Sequence, residues 1–181
     1  MRKQYLKPKV LILHGWGGSD APHWQNGLAK QLASDGYPVF FPQLPHRDNP
    51  TLDEWMNVLD EIVLEFAPNI IVCHSLANIL LFHYLSKNSG LSFDKILLVA
   101  PPASDRENPE IASFFPFEVP AINATEKLLV ASTNDKYASS VDAITMAMNA
   151  GCEVHIVEDG GHINSESGFG DWDFAYDWIV A

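Results

Sequence analysis

From Lys9 to the C-terminus, short runs of β-branched and leucine residues alternate with longer segments whose apolar residues recur every three or four positions. An uninterrupted apolar run suits a strand covered on both faces, and the longer repeat suits a helix packed on such a sheet. Parallel neighbours need a crossover connection, so repeated strand–helix units with short links build a mainly parallel sheet with helices on both faces. The expected architecture is therefore α/β, in one domain spanning residues 1–181, without linker or internal repeat.

Strand runs are expected at residues 9–13, 37–41, 69–73, 95–100, 127–132 and 152–157. A first helix starts near Pro22, with Trp24, Leu28 and Leu32 at four-residue spacing. Thr51-Leu52-Asp53-Glu54 has the form of a capping box, and Leu52, Trp55, Met56, Leu59, Ile62, Val63 and Phe66 continue as a helical stripe. Residues 76–87 are apolar on nearly all sides, as a central helix would be. Val141, Ile144 and Met148 mark another helix ended by Gly151, and residues 171–180 a closing one. The Pro- and Phe-rich stretch 101–123 shows no periodicity.

Composition narrows the function. Apolar residues make up 47% of the chain and charged ones 19%, enough for a packed core and unlike a disordered chain. Acidic residues outnumber basic ones 23 to 11, for a formal charge of -12, and no basic cluster exists beyond Arg2-Lys3. Such a surface repels phosphate backbones, so no nucleic-acid partner is expected. Cys73 and Cys152 stand alone, without disulfide or metal-ligand patterns, which fits a reducing, cytoplasmic setting. The run 10–13 is too short for a signal peptide and no segment reaches membrane-spanning length, so no membrane role is expected.

Chemistry in such sheets collects at the carboxyl ends of the strands, and four places there carry reactive residues. Ser75 lies in Val72-Cys73-His74-Ser75-Leu76-Ala77-Asn78, between an apolar strand and an apolar helix. A nucleophilic serine needs a sharp turn with small residues two before and two after; Cys73 and Ala77 stand where Gly-x-Ser-x-Gly has glycines. The competing role for Ser75 is a helix cap. Cys73 is the alternative nucleophile, better read as a small buried residue. Next, His14-Gly15-Trp16-Gly17-Gly18-Ser19 can turn a backbone amide toward the serine; the Trp16 and Leu76 amides are the candidate oxyanion hole. A dinucleotide fingerprint fails on spacing, because Asp20 replaces its third glycine, and no Walker loop is present.

Asp135, in Thr133-Asn134-Asp135-Lys136, suits the acid of a triad in which serine, acid and histidine follow in chain order. Asp105 and Asp159 compete with it. His162, after Gly160-Gly161, is the candidate general base. His155 and His83 read as structural, His14 and His74 as shaping the site, and His23 and His46 carry no specific signal. Aromatic residues Trp16, Trp24, Phe114, Phe115, Phe117 and Trp172, together with His14, could line an acyl pocket, although the aromatics serve equally well as core. No histidine or cysteine pair has ligand spacing, so neither metal nor cofactor is expected.

Together with Ser167-Gly168-Phe169-Gly170, these motifs resemble the small single-domain serine hydrolases of the α/β-hydrolase type related to YdeN and retinoblastoma-binding protein 9. The resemblance spans essentially the whole chain. It implies an α/β-hydrolase fold without a large cap domain, and a triad of Ser75, Asp135 and His162. Ile71-Val72-Cys73-His74-Ser75 is not Leu-x-Cys-x-Glu, so no retinoblastoma-protein partner is expected. The expected function is acyl-enzyme hydrolysis of a small-molecule carboxylic ester, thioester or activated amide, as a carboxylesterase-like enzyme. The rivals are a peptidase or amidase, and a non-catalytic interaction module that an exposed aromatic patch at 114–117 would favour.

Overall fold

A computed structural model describes residues 6–103 and 108–181; Arg2, Lys3 and Asp105, named above, lie outside the described residues. In chain order the elements are β1 (Val10–Leu13), α1 (Trp24–Ser34), β2 (Val39–Phe40), α2 (Leu52–Phe66), β3 (Ile70–His74), α3 (Leu76–Lys87), β4 (Phe93–Val99), β5 (Ala124–Ser132), α4 (Ser140–Ala150), β6 (Glu153–Val157) and α5 (Asp173–Val180). Short 3-10 turns at Pro109–Phe114 and Ser165–Ser167 interrupt the loops. Among the described residues six strands form one sheet in the order β2-β1-β3-β4-β5-β6, every pair parallel.

Residue alternation along the strands divides the core. Leu11, Leu13, Ile71, Cys73, Ile96, Leu98 and Leu129 join one apolar cluster with residues of α2, α3 and α4. Val10, Ile12, Ile70, Val72, Leu97, Val99 and Val130 join another with residues of α1 and α5. Burying each such side chain contributes about 1.5–3 kcal/mol, which is why strands apolar at every position occupy the middle of the sheet. Helix α3 packs Leu76 through Phe82 inside, in keeping with its all-round apolarity.

Thr51 caps α2 by accepting the Glu54 amide, and Ser139 and Asp142 form a capping box on α4. Gly151 ends α4 in the left-handed conformation. Helix α4 forms where it is expected, with an apolar exposed face. Val141 (72% exposed), Ile144 (40%) and Met148 (77%) face water, and α4 buries Ala143, Met146, Ala147 and Ala150 instead. The small residues bring that helix close to the sheet. All parallel strands end on the same edge, so the loops after β1, β3, β5 and β6 come together there. No described connection is large enough to form a separate cap, and among the described residues no helix is long and apolar enough to cross a membrane.

Candidate active site

The turn between β3 and α3 holds Ser75 at φ 54°, ψ -124°, a positive-φ conformation that costs a non-glycine residue of order 1–3 kcal/mol. Its surroundings impose this conformation. The Ser75 amide donates to the Val99 carbonyl at 2.9 Å, and the Asn78 side-chain amide bridges the carbonyls of Ser75 (2.8 Å) and Val99 (2.9 Å). Cys73 and Ala77 are fully buried on either side, so small size is met without glycine. Burial drives the Cys73 thiol's pKa far up, so it is an inert core group. The Ser75 side chain makes no capping bond to α3, so the cap role is set aside; its Oγ instead lies 2.8 Å from His162 Nε2.

On the other side of the imidazole, His162 Nδ1 is 2.8 Å from Asp135 Oδ2. Accordingly, Nδ1–H donates to the carboxylate and Nε2 accepts from the serine hydroxyl. Asp135 Oδ1 accepts the Tyr137 amide at 2.9 Å, which fixes the carboxylate, and the Tyr137 ring lies 4.5 Å from that of His162. Asn134 Oδ1 accepts the Gly161 amide at 2.6 Å, and Ser167 Oγ accepts the His162 amide at 3.1 Å. Gly161 has φ 56°, and a Cβ there would run into the Ser167 side chain. Asp159 is exposed, its amide tied to Thr133 Oγ1, and is not the histidine's partner.

The loop after β1 approaches the serine closely: a Cβ on Gly15 would sit 2.8 Å from Ser75 Cβ and 3.0 Å from the His74 carbonyl oxygen. The loop is fastened from the far side by Gly17 N–H to the Arg47 carbonyl (2.8 Å), Trp16 Nε1–H to the Asp48 carbonyl (2.9 Å) and an Arg47–Asp20 ion pair (2.7 Å). Leu76 stands at the first turn of α3, where amides have no intrahelical acceptor. Both Trp16 and Leu76 line a cavity of about 310 Å³ that also contains Ser75 and His162.

The wall of that cavity corrects the expected aromatic pocket. Its other residues include Asp20, His23, Asn108, Tyr137, Asn164 and Glu166, a mostly polar set. Phe114 is fully buried, edge-on to Trp55 at 5.3 Å, and Phe115 packs on Phe117 at 5.6 Å as part of the core. Trp172 stacks on Phe174 and meets Trp24 edge-on at 5.1 Å, covering the opposite core. His14 is buried behind the loop, Nε2 accepting the Leu44 amide (2.8 Å) and Nδ1 donating to the Gly15 carbonyl (2.8 Å), which leaves no ring nitrogen for substrate. A chain without a cap spends its aromatics on closing its own core. With Phe114 inside, the aromatic patch that would favour an interaction module is lost as well.

His74 does shape the site: its Nε2 donates to the His162 carbonyl at 3.0 Å, and burial holds its pKa well below the ordinary value, keeping it neutral. His83 ties α3 to the Phe114 carbonyl at 2.9 Å, and His155 stacks on Phe174 at 4.8 Å, both structural. His23, without a signal in the sequence, turns out to be a cavity-wall residue.

A family model described as serine hydrolase matches residues 10–180. YdeN of Bacillus subtilis (strain 168) is 24% identical over 183 residues, covering 97% of this chain and 96% of YdeN. The YdeN crystal structure superposes with a TM-score of 0.81 at 22% identity, covering 96% of this chain and 97% of that one. A YdeN-like protein from Pectobacterium atrosepticum follows at 0.79 and 22%, covering 96% and 89%. A monoacylglycerol lipase from Paleococcus ferrophilus reaches 0.72 at 14%, covering 96% and 93%. The shared fold is that of the α/β-hydrolases.

Proposed function

This chain belongs to the serine hydrolase family, and we propose that it cleaves a small carboxylic ester, or a thioester or activated amide of similar size, through an acyl-Ser75 intermediate. The observation that carries this reading is the unbroken chain Asp135–His162–Ser75, with both links at 2.8 Å, ending on a strained serine in the cavity wall.

In the first step Ser75 Oγ attacks the carbonyl carbon while His162 Nε2 takes its proton. Asp135 keeps the Nδ1 proton in place and stabilises the imidazolium without itself becoming protonated. Negative charge on the former carbonyl oxygen is received by the Trp16 and Leu76 amides. Collapse expels the leaving group, which collects the proton from His162. Water then gives a proton to His162 as it attacks the acyl-serine, and on collapse His162 returns that proton to Ser75 Oγ, releasing the acid and free Ser75. No step requires a metal or cofactor. A cavity of about 310 Å³ suits short acyl and alcohol groups, and its polar wall suits a substrate with polar substituents. Oxygen esters are the first class to test, since the lipase of Paleococcus ferrophilus shares the fold.

A fluorophosphonate probe followed by mass spectrometry tests the nucleophile. Expected are an adduct on Ser75, its loss in Ser75→Ala and His162→Ala, and no measurable ester turnover in Ser75→Ala protein that melts like the parent. Well-folded parent protein that takes no label overturns the proposal.

A further inference from the structure

The two candidate oxyanion donors are held in unlike ways. Leu76 N–H is fixed by the helix that it begins. Trp16 N–H belongs to the irregular loop between β1 and α1, and it bonds to no described residue. Gly17 (φ 80°) and Gly18 (φ 86°) follow it in the left-handed region, and fixing two successive glycines costs more chain entropy than fixing other residues. A bond from Gly18 N–H to the Gly15 carbonyl (3.1 Å) closes the turn without anchoring it. Farther along, α1 anchors Ser19: its hydroxyl donates to Gln25 Oε1 (2.7 Å) and its carbonyl accepts the Asn26 side-chain amide (2.7 Å). An oxyanion donor works only at about 2.7–3.1 Å from the developing charge, so the stretch before Ser19 has to be held from elsewhere.

One residue of the β2–α2 connection spans that gap. The Arg47 carbonyl accepts Gly17 N–H at 2.8 Å, and the Arg47 guanidinium pairs with Asp20, next to the anchored Ser19, at 2.7 Å. Between these two points the side chain crosses Gly18 so closely that a Cβ there would lie 2.6 Å from Arg47 Nη1 and 2.9 Å from Cδ. Nη1 also donates to Gln43 Oε1 at 3.2 Å, which ties the arginine to its own loop. The neighbouring Asp48 carbonyl holds the Trp16 indole. An exposed ion pair adds little to global stability, so the consequence of this one is local. We propose that Arg47 is a positioning residue for the oxyanion hole, a strap anchored on Asp20 that lies across Gly17 and Gly18 and aims Trp16 N–H at the developing charge. This rests on the hydrolytic reading above.

The test compares p-nitrophenyl acetate with O-(p-nitrophenyl) thionoacetate, whose thiocarbonyl sulfur accepts N–H bonds poorly. A working oxyanion hole separates the two, whereas loss of folded protein or damage to the triad lowers both alike. Each kcat/KM is divided by the hydroxide-catalysed rate of its substrate. The parent is expected to favour the oxygen ester by about 100-fold. In Arg47→Met and in Asp20→Asn, kcat/KM for the oxygen ester falls by about 10-fold at nearly constant KM, and that for the thionoester stays. The double variant loses no more than either single one. The two single variants break the ion pair from opposite sides, so either decides the matter if the other fails to fold. An unchanged preference in the variants, an equal fall for both substrates, or additive losses in the double variant overturns the role of Arg47 alone. Fluorophosphonate labelling of Ser75 is measured alongside. A labelled parent without preference overturns the oxyanion hole assigned above and the role of Arg47 with it; an unlabelled, well-folded parent overturns the hydrolase reading as a whole.

Discussion

Ser75 lies at the middle of the sheet, between β3 and α3, with buried apolar side chains on both faces. His162 lies on a loop beyond β6, the edge strand, whose residues are exposed or half-buried. The serine's conformation is set by backbone bonds, the Asn78 side chain and core packing; the histidine's is set mainly by side-chain bonds from His74, Asn134, Asp135 and Ser167. Position in the first case is tied to global stability. In the second it rests on a few hydrogen bonds that can fail while the core stands.

That contrast can be broken by substitution. Asp135→Asn should lower kcat by about 10³–10⁴-fold, by favouring the wrong histidine tautomer, with little change in Tm. A loss below 10-fold, measured by ester hydrolysis, would remove Asp135 from the triad. Ala77→Leu, on the serine side, should instead cost about 1–3 kcal/mol of stability through overpacking, visible in urea melts, with activity falling because folded protein falls. Equal stability with lost activity would show the elbow to be less tied to the core than its burial indicates.

Acid should weaken the buried histidines between the two sides. His14, His23 and His74 all have lowered pKa values, burial being the first cause in each. The unfolded chain protonates them near pH 6.5, whereas the native state resists. Stability is therefore full above that pH and falls as pH drops toward the folded value, about 4 for His23. The slope is up to about 1.4 kcal/mol per pH unit for each histidine. Calorimetry should show a falling Tm from pH 7 to pH 5, shallower in His23→Asn; a flat profile contradicts neutral burial. The smallest effect is expected from Asn134→Ala, which frees the Gly161 amide: kcat lower by roughly 3–10-fold and Tm nearly unchanged. Rescue by Asn134→Asp would identify the acceptor oxygen as the feature that matters.

The strands, α3 and the meeting of Ser75, His162 and Asp135 are legible because each follows from a short-range rule. An apolar run implies a buried strand, all-round apolarity a central helix, and a reactive residue just after a strand a place on the sheet's working edge. Periodicity identifies α4 without fixing its orientation, since Val141, Ile144 and Met148 form as regular a stripe as the buried Ala143, Met146, Ala147 and Ala150. Tight packing there selects small side chains, which hydrophobicity undervalues. The cavity wall was misread for a related reason: Phe114, Phe115 and Trp172 are drawn into the core by the area they bury, leaving polar loop residues around the serine. His23 carries no signal because neither a strand end nor a motif marks a helix-capping histidine as part of the cavity wall.

The marginal place of β6 has a consequence for how the molecule fails under stress. Pairing with β5 is its only attachment to the sheet among the described residues, and the histidine loop hangs from its end. Local opening at that margin takes less free energy than dismantling the centre, and it carries His162 away from a serine 87 positions earlier in the chain. Warming would then extinguish turnover ahead of the main melt and cooling would restore it without refolding, so β6 acts as a fuse, sparing the rest of the circuit.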